Sequence, residues 1–313
     1  MKIGLDAMGG DFAPNAVVSG AILAQKELSA EDQIVLFGKE DLIRQIIDAK
    51  GASADLFQIV NATEVIDMHD KPIKALSSKK DSSLAVGFEY LKQHKIDTFA
   101  SAGSTGAMVA GAMFSVGVME GVLRPCLASL IPKDKGGVTV LVDVGVVPDA
   151  KPDVMCQFGL LGSNYAKTAL GIDNPKVGLI NIGEEDEKGN QQSQAALALM
   201  KEEKSYNFVG NVEPIEIFQS NVDVIVCDGF VGNLLLKHTE AFARIFAKRG
   251  LVDDYVKRFN YEIYGGLPLL GVNEVVIIGH GISNEKAIKS MVLQSKSIYN
   301  SHITEKLREA LTT

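Results

Sequence analysis

Four times along this chain a short apolar run ends in a turn of glycines, small residues and charged groups, and a helix-like segment follows. No other feature constrains the fold as strongly. The first turn, Asp6-Ala7-Met8-Gly9-Gly10-Asp11, follows Lys2-Ile3-Gly4-Leu5, a run too short for anything but a strand. The second is Ser101-Ala102-Gly103-Ser104-Thr105-Gly106-Ala107, at the end of an apolar run over 98–101. The third is Asn181-Ile182-Gly183-Glu184-Glu185, continuing to Lys188-Gly189-Asn190, and the fourth is Asp228-Gly229-Phe230-Val231-Gly232-Asn233. Strand, turn and helix in alternation predict an α/β fold with a largely parallel sheet covered by helices. Further strands are expected over 33–37, 56–60, 127–131, 138–142, 176–181, 222–227 and 275–278. Several are rich in Val and Ile without polar alternation, as strands covered on both faces are. Helices are expected over 12–28, 41–50, 82–94, 105–116, 152–170, 191–201, 233–249, 253–261 and 284–311. No repeat, low-complexity segment or linker interrupts the pattern, so residues 1–313 are expected to form one catalytic unit.

In a parallel sheet the carboxyl ends of the strands share one edge, so the four turns are expected to meet at one crevice. Adjacent glycines allow close backbone approach or positive φ, and a capped helix N-terminus is a ready anion site. Taken singly, each is also what an ordinary tight turn looks like; four of one design favour a site for phosphate or another anion. The set is neither a dinucleotide fingerprint nor a P-loop, because no G-x-G-x-x-G follows a strand and no G-x-x-x-x-G-K-[ST] occurs. Lys79-Lys80-Asp81-Ser82-Ser83 precedes another amphipathic helix, with Asp81 or Ser82 as its N-cap. Its two lysines read either as charge that attracts an anion or as a solvated pair before an ordinary cap.

Composition excludes several classes. A net charge of −8 argues against general nucleic-acid binding, which rests on Lys and Arg. Three cysteines without paired metal-ligand spacing suggest a reducing compartment and no zinc site. Met1-Lys2 leads straight into the first strand, so no signal peptide is expected. No apolar run approaches the roughly 20 residues that span a bilayer, which leaves only peripheral membrane contact.

Taken together, these residues closely resemble the phosphate acyltransferase (PlsX) family of bacterial phospholipid synthesis. The matching motifs are Asp6 to Asp11, Lys79 to Ser83, Ser101 to Ala107, Asn181 to Glu184 with Lys188-Gly189, and Cys227 to Asn233. Tyr264-Gly265-Gly266, Leu270-Gly271 and His280-Gly281 also fit, in order across nearly the whole chain. The resemblance implies a fold like that of the isopropylmalate dehydrogenases and phosphotransacetylases. It implies an enzyme converting acyl-(acyl carrier protein) and inorganic phosphate to acyl phosphate and free carrier protein. It further implies a cytoplasmic homodimer that works without cofactor or metal and supplies a membrane-bound glycerol-3-phosphate acyltransferase.

That chemistry needs no enzyme nucleophile: a phosphate oxygen attacks the thioester carbonyl and the thiolate leaves. The protein holds the anion and stabilises a tetrahedral oxyanion. By resemblance, Lys188 neutralises phosphate charge and Asn233 orients a hydrogen bond at the reacting centre. The binding set carried over is Asp6, Gly9, Gly10, Asp11, Lys80, Ser101, Gly103, Ser104, Thr105, Gly106, Glu184, Asp228, Gly229, Gly232 and His280. The aspartates are expected to orient loops rather than touch phosphate, which bare carboxylates repel. Plainer readings stand beside these: Lys188 as a surface ion pair, Asn233 as a helix cap, His280 as a structural hydrogen-bonder. Cys227 is either a thiol nucleophile or, more in keeping with its strand, a small buried apolar residue. Alternatives to the function are a phosphotransacetylase-like enzyme using acyl-coenzyme A, a non-catalytic acyl-carrier or lipid-synthesis scaffold, and a dehydrogenase on the same fold.

The chain departs from the family pattern in three places. After Asp143-Val144-Gly145 it has Val146-Val147-Pro148 where the family usually has Ala-Asn, and Ser78 stands where an Arg is common. The segment at 233–263 is a compact helical stretch where many members carry a longer hairpin. Its apolar stripe of Phe242, Ile245 and Phe246 is expected in the core or at a dimer interface rather than in a membrane, with weak peripheral membrane contact at most.

Overall fold

The computed structural model describes residues 1–312. Its strands are β1 (Lys2–Asp6), β2 (Gln33–Gly38), β3 (Phe57–Asn61), β4 (Thr98–Ser101), β5 (Cys126–Pro132) and β6 (Val138–Val142). They continue as β7 (Lys176–Ile180), β8 (Asn207–Val212), β9 (Val224–Val226), β10 (Gly266–Leu270) and β11 (Val275–Gly279). Helices α1 (Asn15–Gln25), α2 (Glu40–Ala49), α3 (Pro72–Ser78), α4 (Ser83–Lys92), α5 (Thr105–Ser115) and α6 (Pro152–Leu170) lie in the first part of the chain. The rest are α7 (Gln191–Glu202), α8 (Gly229–Lys248), α9 (Asp254–Lys257), α10 (Tyr261–Tyr264), α11 (Glu285–Asn300) and α12 (Ile303–Thr312).

These elements form two compact units, one of residues 1–118 and 261–301, the other of 119–260 and 302 onward. In the first, the strands run in the order β3-β2-β1-β4-β11-β10. All neighbours are parallel except β10, which lies antiparallel to β11. The chain winds outward from β1 through β2 to β3, then returns to the other side of β1 as β4. That reversal is a topological switch point, the place where open α/β sheets leave a crevice outside the strand ends. In the second unit the order is β5-β6-β9-β7-β8, with only the β5–β6 pair antiparallel. Here β7 leads outward to β8 and the chain returns as β9 on the other side of β7, a second switch point. All four turns singled out in the sequence follow strands beside these two switch points.

Burial explains the Val- and Ile-rich runs. In β2, Ile34, Val35, Leu36 and Phe37 are all fully buried, on both faces of the strand. The first unit's core gathers the rings of Phe37, Phe88 and Phe99 edge to face, with centroids 5.0 and 5.7 Å apart. The second unit packs α6, whose Phe158, Leu161 and Tyr165 are buried, against β6 and β9, with Gly162 facing Val142 and Val224.

Three departures from the expected elements have physical reasons. β8 was not expected because Gly210 breaks its apolar run, and there the β7–β8 register slips. β10 contains Pro268, which lacks a ladder donor and argued against a strand. The helix expected over 284–311 is two helices, broken at Ser301-His302, where His302 takes φ +56. No helix among the described residues is long and apolar enough to cross a membrane.

Candidate functional site

In the first unit the turn after β1 and the turn after β4 are locked together by one buried pair. Asp6 is 2% exposed. Its Oδ2 accepts from Ser101 Oγ at 2.6 Å and its Oδ1 from the Met8 amide at 3.0 Å. Ser101 Oγ in turn accepts the Gly103 amide at 2.9 Å. Burial pushes the Asp6 carboxyl above the usual range, against hydrogen bonds from Ser101, Ser83, Met8 and Gly9 that pull it down. Gly9 must be glycine: a Cβ there would stand 2.4 Å from Asp6 Oδ2 and 2.5 Å from Ser101 Oγ. The Asp11 amide donates to the Gly281 carbonyl at 2.8 Å, tying the first turn to His280-Gly281. Asp6, Gly9, Ser101 and Gly103 therefore come together, with Asp11 bound to the loop that carries His280.

The same geometry narrows what this unit offers an anion. The amides of Gly103 and Ala107 are taken by Ser101 and Ser104. Thr105 and Gly106 stand exposed at the first two positions of α5, where amides lack intrahelical acceptors. Ser82, not Asp81, caps α4; Asp81 instead receives the amide and hydroxyl of Thr63. Lys79 is engaged by Asp70 at 2.6 Å and the Val65 carbonyl at 2.8 Å, so it braces the 65–70 loop. Of the two motif lysines only Lys80 is exposed and without a partner among the described residues. His280 Nδ1 accepts the Ile282 amide at 3.3 Å, a structural bond.

In the second unit the turns after β6 and β9 pack on each other. Asp228 caps α8, its Oδ1 accepting the Val231 amide at 2.8 Å, so the helix starts at Gly229 rather than at 233. Asn233 is thus not the cap. It lies in the second turn of α8, exposed, and its side-chain amide has no partner among the described residues. A Cβ at Gly232 would stand 1.9 Å from the Asp143 carbonyl oxygen, so only glycine lets the two backbones approach this closely. Cys227 is fully buried, its thiol directed at the Asp143 carbonyl at 3.4 Å. Burial, with Asp143 and Asp228 nearby, pushes that thiol well above its ordinary range, which removes it as a nucleophile.

The third turn, after β7, carries Lys188. Buried Asn181 pins it by donating to the Lys188 carbonyl at 3.2 Å and accepting the Ile182 amide at 2.9 Å. Asn211 adds a bond to the Glu185 carbonyl at 3.0 Å. The Lys188 ammonium, half exposed, meets only Glu185 among the described residues, at 3.9 Å. A contact that long on an exposed i,i+3 pair holds little energy. Glu184 is exposed on the same turn. β7 and β9 are neighbours, so the Lys188 and Asn233 turns leave adjacent strand ends.

Sequence reasoning passed over Asp143. Like Asp6 it is a carboxylate closing an apolar strand just before a glycine, and that parallel was the available signal.

Comparison with known proteins gives a consistent result. A family described as "Fatty acid synthesis protein" matches residues 1–249. A phosphate acyltransferase of Caldicellulosiruptor bescii is 42% identical over 331 residues, covering 100% of this chain and 98% of that protein. A phosphate acyltransferase of Syntrophomonas wolfei is 41% identical, covering 97% of each. Among solved structures, a phosphotransacetylase from Streptococcus pyogenes superposes with a TM-score of 0.64 over 100% of this chain and 94% of its own, at 16% identity. At that identity the last likeness speaks for the fold.

Proposed function

The chain belongs to the fatty acid synthesis protein family that includes the phosphate acyltransferases, and on that premise we propose that its acyl donor is an acyl carrier protein thioester. The chain is an acyltransferase acting on phosphate. In the proposed reaction a hydrogenphosphate oxygen attacks the thioester carbonyl. The carbon–sulfur bond breaks, and the carrier leaves as a thiol carrying the phosphate proton, so acyl phosphate forms with charge conserved. Lys188 neutralises the attacking anion and Asn233 donates to the developing oxyanion, where one well-placed donor contributes on the order of 10²–10³ in rate. Separately, on the first unit, the amides of Thr105 and Gly106, and Lys80, offer positions for an anion.

One observation carries this reading. Lys188 and Asn233 each sit on a turn pinned by buried polar groups, yet keep their own charge or amide uncommitted. We further place the enzyme in the cytoplasm as a homodimer, residues 1–313 acting as the catalytic unit and its product passing to a membrane acyltransferase that completes phospholipid synthesis. The apolar side chains that α8 exposes, Leu234, Phe242, Ile245 and Phe246, support a covered face there.

The test is phosphate-dependent thiol release from long-chain acyl carrier protein, with acyl phosphate trapped by hydroxylamine and acyl-coenzyme A run in parallel. Lys188→Ala is expected to lower turnover at least about 10²-fold with an unchanged fold by circular dichroism. Near-normal turnover by the folded variant removes Lys188 from the chemistry. Preference for acyl-coenzyme A moves the donor assignment to that thioester.

A further inference from the structure

We propose that Asp143 is a positioning residue for acyl transfer, holding Asn233 in place through the loop at 143–147; the proposal rests on the role given to Asn233 above. Asp143 is fully buried, and its carboxylate is the hub of the turn after β6. Oδ2 accepts the amides of Val146 at 2.9 Å and Val147 at 2.7 Å, and Oδ1 accepts the Leu127 amide at 2.9 Å from β5. An ionised carboxylate is a pure acceptor with room for all three, which no amide or hydroxyl side chain of similar size provides.

The loop so fixed is the floor on which α8 begins. The Val147 carbonyl receives the Gly229 amide at 2.8 Å. The Asp143 amide donates to the Cys227 carbonyl at 3.1 Å, joining β6 to the residue before the cap. A Cβ at Gly229 would stand 2.7 Å from Asp143 Oδ2, so the carboxylate lies directly under the first residue of the helix. At the loop's apex a Cβ on Gly145 would be 3.8 Å from Asn233 Cβ. Two backbone hydrogen bonds and one helical turn therefore connect Asp143 to Asn233. Asp143 touches neither substrate in this scheme; it sets where the Asn233 amide points.

Asp143→Asn tests this. One Asn oxygen replaces two acceptors, and the new NH2 faces amides that need an acceptor. The expected result is a fall in kcat of about 10²-fold, the effect of roughly 1 Å of misplacement, with KM for phosphate changed by less than about three-fold. A double-mutant cycle with Asn233→Ala separates positioning from general weakening. In the Asn233→Ala background, Asp143→Asn is expected to change kcat by less than about three-fold. An equal effect in both backgrounds overturns the positioning proposal and leaves the role of Asn233 intact. Wild-type kcat in Asn233→Ala alone overturns the role of Asn233 and the proposal with it. Should Asp143→Asn fail to fold, amide exchange in the wild-type enzyme decides. The Val146 and Val147 amides are expected to exchange at least about 10²-fold slower than unstructured amides although both residues are half exposed. Free exchange at both would overturn the carboxylate's hold on the loop.

Discussion

Gly232→Ala is the sharpest perturbation of the second unit. The added methyl would lie 1.9 Å from the Asp143 carbonyl oxygen and 2.7 Å from Cys227 Sγ. The first of these atoms is backbone, held by the β6–β9 ladder, and cannot swing away. The methyl is roughly 1 Å inside the shortest tolerable contact, so the start of α8 must shift by about that distance. Overpacking of this kind costs about 1–3 kcal/mol, and a backbone obstacle puts it near the upper figure. Alanine in place of glycine within a helix returns about 1 kcal/mol. The net cost is about 2 kcal/mol, which lowers the melting temperature by roughly 4–8 °C in a domain of this size. Asn233 rides on the displaced turn, so kcat is expected to fall about 10²-fold. Gly281→Ala is the control: the nearest atoms to its methyl would be Met68 Cε at 3.3 Å and the exposed Asp11 carboxylate at 3.6 and 3.9 Å. It is expected to melt within about 2 °C of wild type. Thermal unfolding and hydroxylamine-trapped acyl phosphate read both effects. A Gly232→Ala enzyme with wild-type melting and turnover would refute the close-approach argument.

Two stability predictions follow from charges away from the turns. Lys133 is 5% exposed and pairs at 2.8 Å with Asp223, a half-buried carboxylate that keeps the Lys176 amide, so Lys133→Met is expected to cost about 2 kcal/mol in urea unfolding. Lys201→Met, which breaks an exposed pair with Asp186, is expected to cost under about 0.5 kcal/mol, and equal costs would refute the distinction. Asp32 receives the Lys296 ammonium at 2.5 Å, the N-terminal ammonium at 3.2 Å and Ser29, which together hold its carboxyl far below the usual range despite the opposing effect of burial. A depressed folded-state pKa stabilises above the unfolded value near about 3.9 and is lost as pH falls below it. Stability is therefore expected to drop below about pH 4 by on the order of 2 kcal/mol, a drop that Asp32→Asn removes while lowering stability at pH 7. An unchanged acid limb in Asp32→Asn would refute it.

Much of the scaffold was legible in the sequence because strands buried on both faces leave a compositional mark. The runs over 98–101, 138–142 and 152–170 coincide with β4, β6 and α6. What escaped notice was held by tertiary contacts. β8 and β10 contain Gly210 and Pro268, which local propensity counts against a strand, and neighbouring strands override that. α3, only seven residues long, leans on α5 beside Gly106, whose added Cβ would lie 2.8 Å from Pro72 Cγ. At the site, the turns were readable from their glycines and caps, but partner choice was not. Nothing in Lys79-Lys80 says that the first lysine braces Asp70 and the second stays unpaired. Nothing in Asp228 to Asn233 says which of two capping residues caps.

Asp6 and Asp143, at the ends of β1 and β6, raise an electrostatic problem that their burial resolves. A carboxylate beside a phosphate dianion repels it, yet three of the four turns contain or follow one. Asp6 and Asp143 are 2% and 0% exposed, and both accept amides of the turn that follows them. Burial pushes both carboxyls upward while those amides pull them down, so the charge is balanced inside the turn by N–H dipoles rather than presented to solvent. The carboxylate thereby shapes the loop, and the work of holding an anion falls to a cation elsewhere. Under the proposed function that cation is Lys188, whose ammonium has only a 3.9 Å contact among the described residues. Removing Asp6 or Asp143 should therefore loosen a turn and not strengthen phosphate binding, the opposite of what deleting a repulsive neighbour would do.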